Sequence, residues 1–170
     1  MRLLFVFVPF LCLLSLALPF QEVSAACSNV IDDDSGNGHQ SGWYEGGGHV
    51  PSYGDDYHIS GDDYYVYDSR FYWSTLTSCS DGSGWWGVDV YLNNYDFTNT
   101  EAKYYKGGSA MNAIDQYNAL GGWNRIETVW INKDQYYQFS VSSAGDMIYS
   151  GGQAYYPASR TGADALRLVD

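Results

Sequence analysis

Positive charge is scarce in this chain. Eight Lys and Arg stand against 20 Asp and Glu, a net charge of −12 at pH 7. A surface of that sign repels phosphate, which excludes nucleic acid and anionic membrane surfaces as partners. Neutral ligands, cations and other proteins remain. Cysteine is nearly absent, with three in 170 residues, and one of these, Cys12, falls in an apolar N-terminal run. No Gly-x-Ser-x-Gly elbow is present, so the strand-to-helix nucleophile of one large hydrolase class is missing. The three histidines, His39, His49 and His58, stand nine or ten positions apart. That spacing lacks the close pairing of a zinc-binding helix, and they read as surface histidines. Catalytic residues are therefore expected to be none, and the protein is expected not to be an enzyme.

The chain is rich instead in aromatics and glycine, with 17 Tyr, 6 Trp and 19 Gly. Tyr and Trp join an apolar body to a polar tip, which suits half-buried sheet faces and sugar-binding surfaces. With few helix-forming runs, the expected class is all-β. Met1 and Arg2 precede a nearly unbroken apolar run over 3–20, and Val23-Ser24-Ala25-Ala26 supplies small residues for cleavage. This reads as a signal peptide over 1–26, with a membrane anchor as the alternative. The expectation is a secreted, extracellular or cell-surface protein with one domain over 27–170 and no membrane contact after cleavage. Cys27 and Cys79 then form an even pair in an exported chain, and a Cys27–Cys79 disulfide is expected. The competing reading makes Cys27 the lipid-modified first residue of a lipoprotein.

Turn residues and alternation divide the chain into nine to eleven short strands. These predict an antiparallel two-sheet β-sandwich of jelly-roll or galactose-binding-like type. GWWGVDVYL is the cleanest segment, with Trp86, Val88, Val90 and Leu92 inward and Trp85, Asp89 and Tyr91 outward. GGWNRIETVWINKDQYYQFSV reads as a central hairpin. In it Ile126, Thr128 and Trp130 share one face, Asn132-Lys133-Asp134 turns, and Tyr137, Phe139 and Val141 share a face. Trp123 and Asn124 are placed to seal one end of the layer. SAMNAIDQYNAL reads as a strand in preference to a helical turn. Ala163 to Val169 is expected as one closing strand. In it Asp164 is a partly buried carboxylate bonded to a backbone turn or to Arg167. Gln116 reads as a hydrogen-bond partner in the core or at an edge. Asp32, Asp33, Asp34, Ser35 and Asn37 gather oxygen ligands beside glycines. Calcium is the guest such a loop suits, with Asp32 and Asp34 as its ligands, and a solvated turn is the other reading.

The order of VIDDDSGNG, SGWYEGG, GDDYH, FYW, GWWGVDVYL, Gln116, GGWNRIETVWI and GADALRLV resembles the golvesin and xanthan-lyase C-terminal domain. That resemblance implies a β-sandwich like those of carbohydrate-binding modules, usually appended to larger secreted proteins. The chain departs from the family's pattern at Gly42-Trp43, where an early G-x-W is closed up. It departs again at Ile126-Glu127, which replace a Leu-Gly. The resemblance supplies no binding residues.

Sugars present flat C–H patches that pack on aromatic rings, while amides and carboxylates meet their hydroxyls. The candidate contacts are Trp43, Tyr44, Tyr53, Trp85, Tyr91, Tyr155 and Tyr156, on loops or outward faces. The function expected is non-catalytic adhesion to a polysaccharide or glycan. The alternative is a structural subunit of a matrix, sheath or fibre that acts by self-association.

Overall fold

The structure, a computed structural model, describes residues 28–34, 38–39, 42–47, 52–61, 69–77, 82–93, 96–144, 148–150, 153–155 and 159–170. The expected signal peptide, both members of the expected Cys27–Cys79 disulfide, His49 and Tyr156 lie outside the described residues. Among the described residues every regular element is a strand. No helix there is long and apolar enough to cross a membrane.

Two antiparallel sheets face each other. The first runs in the order β1 (Ser28–Ile31), β14 (Leu166–Val169), β6 (Gly84–Leu92), β9 (Gly122–Ile131). The second runs β2 (Gly38–His39), β5 (Arg70–Leu76), β10 (Tyr136–Ser142), β7 (Ala102–Lys106), β8 (Ser109–Ile114). A three-stranded sheet of β13 (Gly162–Ala163), β4 (Asp56–Ser60) and β3 (Trp43–Gly47) flanks them. The pair β11 (Ile148–Ser150) and β12 (Gln153–Tyr155) completes the set among the described residues. The expected β-sandwich is the observed fold.

Period-two alternation builds the core. Val88, Val90 and Leu92 of β6 and Leu166 and Leu168 of β14 are buried against Phe71 and Trp73 of β5, Tyr104 of β7, and Phe139 and Val141 of β10. The polar tip of Trp73 is satisfied inside: its indole donates to the Asp164 carbonyl at 2.8 Å. SAMNAI is a strand, as expected, and Asn112 stitches it across to the first sheet. The Asn112 backbone N–H donates to Glu127 Oε2, and its side-chain amide to the Ile126 carbonyl.

Three expectations are corrected. The strands read as a central hairpin do not pair. β9 pairs with β6 in the first sheet, while β10 pairs with β5 and β7 in the second. The segment between them is an arch across the sandwich, so the apolar faces of both strands meet the core from opposite sides. Thr77, just past β5, clamps this arch. Its N–H donates to the Gln135 carbonyl, its carbonyl accepts from Asp134 N–H, and its hydroxyl reaches the Asn132 carbonyl at 2.8 Å. A two-residue turn would have held the strands side by side.

The alternation expected through RIETVWI breaks at Ile126: Thr128 and Trp130 are both exposed, as residues of one face, while Ile126 is buried. The β6–β9 register slips between Val88 and Asp89, which face Glu127 and Arg125 and leave Ile126 without an opposite residue. This bulge inverts the phase. Ile126 and Ile131 are both buried, and Trp130 points outward.

The expected closing strand is broken at Asp164 and Ala165, where the chain passes from the three-stranded sheet to the first sheet.

Candidate functional site

The outer face of β6 follows from its alternation: Trp85, Gly87, Asp89 and Tyr91 point away from the core. Register sets Trp130 beside Trp85, Thr128 beside Gly87, Arg125 beside Asp89 and Trp123 beside Tyr91. At one end Trp85 and Trp130 meet edge to face, with ring centroids 5.7 Å apart and planes at 82°. They are 66% and 46% exposed. The Trp130 indole donates to Asn132 Oδ1 at 2.9 Å, the Lys133 N–H donates to Ser83 Oγ at 3.0 Å, and Lys106 Nζ donates to the Trp130 carbonyl. Two perpendicular ring faces thus stand in water with an amide and an ammonium beside them.

At the other end Tyr53, Tyr91 and Trp123 contact one another edge-on, with centroids 5.3 to 5.9 Å apart. The Arg167 guanidinium lies 4.4 Å from the Trp123 ring centre. Between the ends sits Asp89. It shares a face with outward residues yet is buried, because Arg125 Nε donates to Oδ1 and Arg167 donates to Oδ2 at 3.0 Å. Gly87 makes the arrangement possible: a Cβ there would strike the Arg125 guanidinium, which lies across it.

The structure therefore unites some expected contacts and separates others. Tyr53 and Tyr91 come together, and Trp85 gains Trp130. Trp43 is withdrawn: it is 4% exposed and packs 5.7 Å from Phe71 in the core, so it offers no ring to a ligand. Tyr44 is exposed, but it stands on β3 in the three-stranded sheet. Tyr155 belongs to β12, and its side chain, like all of Tyr156, lies outside the described residues. Sequence reasoning missed Trp130, Trp123, Arg125 and Arg167 as site residues. Counting alternation backward from Ile131 would have placed Trp130 outward.

A second polar cluster lies where Asp164 turns the chain. Asp164 is 1% exposed and accepts from the Tyr53 N–H at 3.1 and 3.2 Å through its two oxygens, while Arg167 goes to Asp89. The backbone half of the expectation for Asp164 thus holds, and the Arg167 half does not. Ligand oxygens of Asp32, Asp33 and Asp164 fall within 4.8 Å of one another, as do those of Asp33, Asp34 and Asp56. Such all-oxygen sets are chemically suited to a hard cation. Asp32 and Asp34, expected to share one, are divided between the two groups. His58 is not a plain surface histidine. Its Nδ1 lies 2.8 Å from Asp33 Oδ2, and its ring packs 4.9 Å from Phe71.

Crowding these acids together favours protons. Burial, reinforced by Asp33 and Asp32, outweighs the backbone hydrogen bonds from Tyr53 and Ala165 and pushes Asp164 up to about 8. Burial first, then hydrogen bonding with Asp33, raises Asp32 to about 6. The Asp33 hydrogen bond raises His58. Each group holds its proton more tightly folded than unfolded. Stability from Asp164 and Asp32 is complete below about pH 4 and is lost as pH rises through their folded values, while His58 loses its share above about pH 6.5. In a chelating buffer the urea midpoint is therefore expected to fall between about pH 5 and pH 8.5, and Asp164→Asn to flatten that slope. A midpoint that climbs over the interval contradicts the assignment.

No family model matches the chain, and no curated protein matches it. Solved structures do. A family 35 carbohydrate-binding module (CBM35) from Cellvibrio japonicus Abf62 superposes with a TM-score of 0.53 at 11% identity, over 85% of this chain and 94% of that one. A CBM35 from Paenibacillus barcinonensis gives 0.54 at 10% identity, over 84% and 98%. A Paenibacillus xanthan lyase gives 0.51 at 17% identity, covering 84% of this chain but 13% of the lyase. At such identities the likeness is one of fold.

Proposed function

We propose that this chain is a secreted, non-catalytic domain that adheres to an extracellular or cell-surface polysaccharide through the Trp85–Trp130 corner. The observation that carries the reading is the pair itself. Two tryptophans held in register on a rigid strand pair keep their ring faces in water. Exposing so much apolar ring surface is costly unless something covers it. A sugar ring fits one face through its C–H patch and touches the other at its edge, and the Asn132 amide beside Trp130 stands by to meet its hydroxyls. Preformed rings on β-strands lose little conformational entropy on binding. Neighbours that share the fold include carbohydrate-binding modules, which supports the same reading.

The His58–Asp33 pair supplies the beginning of an acid–base constellation. It packs against the core ring of Phe71, and its role is structural. Tyr136 and Leu76, paired directly across β5 and β10 and both exposed, favour the rival role of self-association. Affinity electrophoresis through gels that contain individual polysaccharides separates the two. Retardation by at least one glycan, with monomeric elution on size exclusion, is expected. Free migration in every gel together with concentration-dependent assembly would select the structural role. Release of reducing ends by the purified domain would refute the non-catalytic assignment.

A further inference from the structure

We infer that the whole outer face of β6 and β9 is one binding strip for an extended glycan chain that carries an anionic group near the middle of the bound stretch. The inference rests on the reading of the Trp85–Trp130 corner as a sugar contact and gives that site a length and a charge preference.

Length comes from the strand geometry. Trp85 and Tyr91 are six positions apart on one face, and at ~3.3 Å per residue the two aromatic ends stand about 20 Å apart. That span takes several sugar rings in a row. A free monosaccharide or a chain end fills only one aromatic end, whereas an internal stretch of polysaccharide reaches both.

Charge comes from what lies between. Arg125 stretches over Gly87, the position between Trp85 and Asp89, and Arg167 approaches Asp89 from β14. Two guanidinium groups over one buried carboxylate leave one positive charge. It sits on the face of a chain whose net charge is −12. The Arg125 and Arg167 side chains remain 49% and 31% exposed, while that of Asp89 is 5% exposed. The cations face solvent and their counter-ion does not. Arginine presents a planar fork of donors that matches a carboxylate or sulfate, and it retains donors after bonding Asp89. A neutral chain gains nothing from that surplus; an acidic one is drawn to it. A nucleic acid offers anions too, but the −12 surroundings oppose a uniformly charged partner along its length.

The test is calorimetric titration of the intact domain with polygalacturonate, alginate and carrageenan. The carboxyl-reduced or desulfated forms follow, and then a series from disaccharide to octasaccharide of the best binder. Affinity is expected to climb steadily with chain length and to drop about tenfold on neutralising the acidic groups or at high salt. Arg125→Ala, which leaves Asp89 paired with Arg167, is expected to erase the preference for the acidic form and keep the gain with length. Trp123→Ala is expected to flatten the length series and keep short-chain binding. Equal affinity for short and long, acidic and neutral glycans overturns the strip and leaves the corner as an isolated sugar site. Absence of binding to every polysaccharide in both forms, or salt-sensitive dimerisation through this face, overturns the strip and the glycan reading together. The wild-type series alone suffices if either variant fails to fold.

Discussion

Gln116→Ala is expected to lower stability by on the order of 3–5 kcal/mol. Gln116 is fully buried. Its amide nitrogen donates to the Tyr104 hydroxyl at 2.8 Å and to the Gly162 carbonyl at 2.9 Å, and its oxygen accepts from the Gly162 N–H at 2.9 Å. One side chain thereby ties β7, in the second sheet, to β13, where the chain is about to enter the first. Alanine leaves three buried polar groups without this partner, each at a cost of about 1–3 kcal/mol, and adds a cavity. Against a total stability of roughly 5–15 kcal/mol the loss is large. Thermal unfolding should shift down by about 10 °C or more. Combining Gln116→Leu with Tyr104→Phe should cost less than the sum of the two single changes, because the second removes a group the first has orphaned. Strict additivity, or a loss below about 1 kcal/mol for Gln116→Ala, would show that the amide does not bridge the sheets.

The second large effect concerns binding. Trp85→Ala and Trp130→Ala are each expected to weaken polysaccharide binding by ~2–4 kcal/mol, roughly thirty- to a thousand-fold, the range of a truncated aromatic anchor. Stability should scarcely change for Trp85→Ala, because its ring is mostly in water and supports only the edge of Trp130. Trp130→Ala also removes the indole that donates to Asn132, so the amide loses its orientation as well. Trp43→Ala should do the reverse. It lies against Phe71 in the core, and its loss is expected to cost ~3–5 kcal/mol of stability and to leave the affinity of the folded fraction unaltered. Loss of binding in Trp43→Ala at full folding, with none in Trp85→Ala, would contradict the assignment of these rings.

The sequence made much of this legible where the signal is local. In GWWGVDVYL the alternation is unbroken, so β6 and the outward aim of Trp85 and Tyr91 follow directly. Asp164 stands out as a polar residue within an apolar closing segment, Gln116 reads as a core or edge hydrogen-bond partner, and both are buried hydrogen-bond centres. What was hidden is non-local. The bulge at Ile126 is a mismatch with β6, and no periodicity within RIETVWI announces it, so simple alternation groups the buried Ile126 with the exposed Thr128 and Trp130. The arch at Asn132–Asp134 carries the residues of an ordinary turn. It spans two sheets because Thr77, 55 positions before Asn132, fastens it. Asp89 is buried by Arg125 and Arg167, 36 and 78 positions further along the chain. His58 gained its carboxylate partner in the same way.

The most direct test of the central claim is a two-dimensional amide spectrum that follows the six tryptophan indole N–H signals as polysaccharide is added. Trp85 and Trp130 are predicted to shift or broaden first, while Trp43, Trp73 and Trp86, all in the core, hold their positions. Shifts confined to the core indoles, or a spectrum in which Trp85 and Trp130 stay fixed while the protein demonstrably binds the glycan, would contradict the account.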